Sequence, residues 1–126
     1  MSEDAIPYRT KNDKPRMDMN KVFVSGNLTN DVELKHTPNG KAVVHFRVAI
    51  NDSYLDGAGK RHELVVFIDV EVWGRQAENC GSHLSKGSRV VVQGKLKMDQ
   101  WEKDGKRMTK IEIRADQVIF MNGKTG

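Results

Sequence analysis

Four aromatic side chains, Tyr54, Phe67, Trp73 and Trp101, stand among basic residues rather than apolar ones. The cations interleaved with them are Lys35, Arg47, Lys60, Arg61, Lys95, Lys97, Lys103, Lys106 and Arg107. An aromatic ring offers a π-face to any nucleobase and a cation tracks a phosphate, so the combination describes a stacking platform for a single nucleic-acid strand. Phe67 and Trp73 taken alone are equally well explained by burial in a subunit interface or beneath a loop. Tyr54 and Trp101 tip the balance, because they lie in segments too polar to form a core.

Catalytic chemistry has little support. His36, His45, His62 and His83 fall in separate segments without HxxxH or HxH spacing, so no histidine metal motif forms. Asp69 and Glu71 project from one face of a strand, where acids are ordinarily solvated or paired with cross-strand Lys or Arg. Cys80 is the single cysteine, which rules out an intrachain disulfide framework and a cysteine-rich zinc site. On the apolar face of a short helix its expected role is packing. No metal, cofactor or enzymatic activity is therefore expected.

The elements that would hold these residues are mostly strands. From Lys21 onward apolar and polar residues alternate with period two and β-branched residues abound. Strands are expected at 21–28 with an extension at 32–36, then at 42–51, 63–73, 89–97 and 108–121. Thr37-Pro38-Asn39-Gly40 reads as a tight turn, and the polar segments 52–62 and 98–107 read as two hairpin tips, the second turning at Asp104-Gly105. Along the third strand Leu64, Val66, Ile68, Val70 and Val72 share one face, leaving Val65, Phe67, Asp69, Glu71 and Trp73 on the other. Between the third and fourth strands Ala77, Cys80, Gly81 and Leu84 recur at the spacing of a short one-faced helix, which Gly87 suits as a stop.

Three strands, a helix and two strands predict an all-β chain with one short helix: an OB-fold, a five-stranded Greek-key barrel plugged at one end. A half-open β-sandwich is the alternative. Gly26, Gly74 and Gly94 sit where a small barrel needs bends or bulges.

With 126 residues, 37% of them hydrophobic, the chain can bury one core. Residues 1–18 hold two of the three prolines and matched acids and bases, and read as a disordered arm before a domain at 19–121 and a short tail at 122–126. The formal charge of +4 thus falls on the domain. No apolar run approaches the ~20 residues of a membrane span, and the acidic N-terminus lacks a signal peptide, so a cytoplasmic setting is expected. The edge left by a first strand, with Phe23, Ser25 and Asn27 facing outward, predicts a homo-oligomer.

Several stretches, in order, resemble the bacterial single-stranded DNA-binding proteins over Asn20 to Phe120: NKVFVSGNL at 20–28, DVELKHTPNGKAVVHFRVAI at 31–50, FIDVEVWGRQAE at 67–78, LSKGSRVVVQGKL at 84–96 and WEKDGKR at 101–107. The resemblance implies that Tyr54, Phe67, Trp73 and Trp101 stack on bases. Lys35, Arg47, Lys95, Lys97, Lys103, Lys106 and Arg107 would then meet phosphates. It also implies sequence-independent binding in replication, recombination and repair, by a nucleoid-associated homotetramer built as a dimer of dimers with DNA wrapped outside. Members of that family commonly continue into a Gly- and Pro-rich linker and an acidic tail that recruits replication and repair enzymes. Here the residues end at Asn122–Gly126, so tail-dependent partners are in doubt. Two other classes stay open: a module for structured RNA or a protein partner, and a phosphoryl-transfer enzyme.

Overall fold

In a computed structural model, residues 17–121 are described, and the strands and helix follow in the expected order. They are β1 (Val22–Leu28), β2 (Glu33–His36), β3 (Ala42–Leu55), β4 (Arg61–Trp73), α1 (Arg75–His83), β5 (Arg89–Lys103) and β6 (Lys106–Phe120). The arm expected at 1–18, apart from its last two residues, and the tail at 122–126 lie outside the described residues. Among the described residues no helix is long and apolar enough to cross a membrane.

Alternation drives the closure. The apolar faces of five strands can be hidden only by wrapping them round one another, and they do so in the order β1-β5-β6-β4-β3, with β1 returning to pair with β3. β2 continues the line of β1 along β3, from Glu33 opposite His45 to His36 opposite Ala42, as the expected extension of the first strand. β4 and β6 close in parallel at Val70 opposite Ile113. Inside lie Leu28, Val44, Phe46, Val48, Val70, Val72, Val90, Val92 and Ile113, and α1 covers one end with Ala77 and Cys80, followed by Leu84. Each such aliphatic side chain contributes about 1.5–3 kcal/mol on burial. Burial also pushes the Cys80 thiol up to about 11, which leaves it protonated and inert near neutrality.

Two glycines are dictated by backbone approach. A Cβ at Gly26 would overlap the Ala49 carbonyl, and one at Gly94 would overlap Arg114 and Ala115. Gly94 also marks a bulge, because the β5–β6 register slips between Gln93 and Gly94. Gln76 of α1 patches that irregularity: its amide donates to the Asp116 carbonyl and its oxygen accepts from the Val118 N–H at 2.9 Å. Gly87 is not the helix stop. The helix ends with Leu84 in extended backbone, and Gly87 takes its positive φ in the following turn, its N–H donating to the Leu28 carbonyl.

The hairpin tips are ribbons rather than loops. β3 and β4 stay paired out to Leu55 opposite Arg61, and β5 and β6 out to Lys103 opposite Lys106. Only Asp104 and Gly105, at φ 54 and 78, form the second turn, as a two-residue hairpin demands. Beyond Ile68 the expected parity persists while burial ceases: Leu64 and Val66 keep the core-side register but are exposed, because the ribbon has left the barrel.

Candidate nucleic-acid interface

The outward faces of β3, β4, β5 and β6 merge into one surface. On β4 it carries Phe67, Asp69, Glu71 and Trp73, opposite Ala49, Arg47, His45 and Val43 of β3. On the other hairpin it carries Trp101 opposite Met108, Asp99 opposite Lys110, Lys97 opposite Glu112 and Lys95 opposite Arg114. Phe67, Trp73 and Trp101 therefore border a common field of charges. Phe67 is 57% exposed and Trp101 44%, whereas Trp73 is half-buried, with the Arg114 guanidinium 5.8 Å above its ring. Tyr54 does not join them. Its register partner is His62, on the opposite face of the β3–β4 ribbon.

The charges at the centre form a lattice. Asp69 accepts from Arg47 Nε and from Lys110 Nζ, each at 2.9 Å. Glu71 accepts from Lys97 Nζ at 3.0 Å and meets His45 Nε2 at 3.4 Å. Lys97 also lies 3.5 Å from Asp99 and 3.6 Å from Glu112. Glu71 and Glu112 are both buried, so these acids are not solvated. Burial alone would raise Asp69 and Glu71, but their cationic neighbours win: Arg47 and Lys110 hold Asp69 below its usual range. For Glu71 the Trp73 indole N–H and Lys97 do the same, although the indole completes no hydrogen bond of ordinary geometry. Glu112 goes the other way, raised by burial, by a hydrogen bond with Asp99 and by the Glu71 charge.

His45, Glu71 and Glu112 bring three ligand atoms within 4.8 Å of one another, a convergence that linear spacing had hidden. The cation that two buried carboxylates require is already supplied by Lys97, so this group is a salt lattice.

Of the basic residues expected to meet phosphate, Arg47 and Lys97 are engaged in this lattice. Lys95, Lys103, Lys106 and Arg107 are exposed along β5 and β6. Lys35 lies apart on β2, 4.0 Å from Glu33. The structure adds cations that sequence reasoning passed over. Lys41, Arg75 and Arg114 line a cleft of about 490 Å³ beside Trp73. Their only sequence signal was proximity to that ring at Arg75; Lys41 arrives from the turn before β3 and Arg114 from β6.

Residues 19–121 match the model of the single-strand binding protein family. The single-stranded DNA-binding protein of Aquifex aeolicus is 39% identical over 108 residues, which is 86% of this chain and 74% of that protein. A deletion variant of the Thermus aquaticus single-stranded DNA binding protein matches with a TM-score of 0.77 and 35% identity, over 84% of this chain and 52% of that one. The Plasmodium falciparum SSB in complex with single-stranded DNA shares the fold, with a TM-score of 0.81 at 22% identity over 86% of this chain and 100% of that one. The present chain thus spans about half of the Thermus chain. With the barrel closed through β1 and a family match running from the first strand to the last, the chain belongs to the single-strand binding protein family.

Proposed function

We propose that this chain binds single-stranded DNA without strong sequence preference and does no chemistry on it. The observation that carries this reading is the outward face on which Phe67, Trp73 and Trp101 surround paired charges, with exposed Lys95, Lys103 and Lys106 at its margin. Rings of this kind stack on unpaired bases of any identity, whereas the bases of a duplex are already stacked on one another. Relatives carry the name of single-stranded DNA-binding proteins, which supports the same partner. The binding unit is residues 19–121, and its role is to protect and organise single strands during replication, recombination and repair, in the cytoplasm.

Self-association belongs to the same proposal. β1, β5 and β6 turn Phe23, Val91 and Ile119 outward, two of them at 67% and 45% exposure. Such an apolar face suits a second copy of the barrel, and the likeness to the family extends this to a homotetramer arranged as a dimer of dimers.

Intrinsic tryptophan fluorescence tests the DNA reading. Titration with oligodeoxythymidine is expected to quench strongly, and duplex of equal length to quench little. Trp101→Ala should remove much of the signal and cost about 1–3 kcal/mol of affinity with the melting temperature nearly unchanged. Equal quenching by both nucleic acids would overturn the single-strand assignment. Loss of folding in Trp101→Ala would make that ring structural instead.

A further inference from the structure

We infer that His62 is a positioning residue for single-strand binding: it backs the Tyr54 ring and fixes the one face of that ring open to a base. The inference rests on the DNA-binding reading above. Tyr54 and His62 are cross-strand partners on the β3–β4 ribbon. Their rings lie within 17° of parallel with centroids 5.0 Å apart, inside the range of attractive stacking.

His62 is itself held. Its Nε2 lies 2.8 Å from Asp56 Oδ2, and an ionised carboxylate only accepts, so Nε2 carries the proton. The other oxygen of Asp56 accepts the backbone N–H groups of Ala58 and Lys60, both at 2.9 Å. These bonds, the one from His62 first among them, keep the Asp56 carboxyl below its usual range. A single carboxylate thus closes the turn and orients an imidazole. The imidazole in turn covers one side of the phenol ring of Tyr54, a residue that remains 53% exposed.

The arrangement has no evident use in the barrel, since the pair lies on a projecting ribbon away from the buried cluster. It has a direct use in binding. Tyr54 faces away from Phe67, so a strand that contacts both must cross the ribbon and meet Tyr54 from the far side. A ring already held in place spares the ordering cost that a free side chain incurs on binding. The base, Tyr54 and His62 then form a three-layer stack.

Affinity for oligodeoxythymidine distinguishes this from a passive role, measured on Tyr54→Ala, His62→Ala, His62→Phe and the Tyr54→Ala/His62→Ala pair. His62→Ala is expected to weaken binding about two- to tenfold, the range of one stacked aromatic pair. His62→Phe, which keeps a ring, should restore most of the loss. The double variant should bind no worse than Tyr54→Ala, because His62 acts through Tyr54. In spectra of the free protein the Tyr54 ring resonances should move in His62→Ala and return in His62→Phe. If His62→Ala costs the same in the Tyr54→Ala background, His62 touches DNA itself and the positioning role is wrong. If Tyr54→Ala weakens binding and His62→Ala does not, Tyr54 needs no backing. Unchanged affinity in Tyr54→Ala removes the base from this ribbon and overturns the inference, while binding through Phe67, Trp73 and Trp101 stands or falls by the fluorescence titration.

Discussion

The side chain of Lys97 is 27% exposed, and its ammonium meets Glu71, Asp99 and Glu112 within 3.6 Å. Read along the strand it is one more cation for a phosphate; in place it neutralises two buried acids. Lys97→Met is therefore expected to act on stability before affinity. Removing one partner of a buried ion pair costs about 3–5 kcal/mol, and partial solvent access lowers that to about 2 kcal/mol here. Acid should relieve the variant. Glu112 is raised in the folded state, so between its ordinary value and its folded value the native chain holds more protons than the unfolded one, and stability falls as pH rises through that window. Loss of Lys97 raises Glu112 further, so the gap between variant and wild type should narrow from pH 7 towards pH 5. Asp69 and Glu71 have the opposite sign: their contribution is full above the ordinary carboxylate value and disappears as pH falls below it. Denaturant titrations at several pH values check both directions, and a gap independent of pH would show that the lattice is not what Lys97 supports.

At the scale of elements, polar ribbons are what pattern reading handled least well. Segments 52–62 and 98–107 lack an apolar face, so nothing in them signals pairing. Yet both strands leave the barrel already in register, and extending a ladder into solvent buries no side chain and strands no backbone group. The turn residues themselves were legible, since Asp104-Gly105 permits the positive φ angles that a two-residue hairpin requires. Gly94 was legible as a special position but not as to its neighbour. The Arg114 carbonyl that crowds it comes from β6, and Gln76 from the helix seals the adjoining bulge. Gly94→Ala should lower the melting temperature, with a loss of about 1–3 kcal/mol from forced displacement of β6. The exposed Gly57 meets nothing within 4 Å of an added Cβ and serves as the control. Equal effects at the two positions would remove the close-approach explanation.

For the molecule as a whole, the face of Phe23, Val91 and Ile119 is an apolar surface that a lone barrel leaves open. Sedimentation should find a multiple of the 14.3 kDa chain, and Phe23→Glu should shift it towards monomer with the strand content retained. A stable monomer of the unmutated chain at micromolar concentration would refute the assembly. Single-strand affinity per subunit should survive the substitution, because the aromatic face on β4 and β5 lies elsewhere on the barrel.

Strand order, barrel class, the helix plug and the four rings could be read from the chain because each follows from local rules: period-two alternation, turn chemistry and a ring's need for either a core or a ligand. Where those rings ended up relative to one another could not. Side-chain parity places Phe67 and Trp73 on one face of β4, but bringing Trp101 to the same face depends on the parallel closure of β4 against β6. Likewise Asp69, Glu71 and Glu112 become a neutralised lattice only when Arg47, Lys97 and Lys110 arrive from three different strands. Pairing across long sequence separation is set by how the sheet closes, and a linear pattern carries the faces of strands without carrying which faces meet.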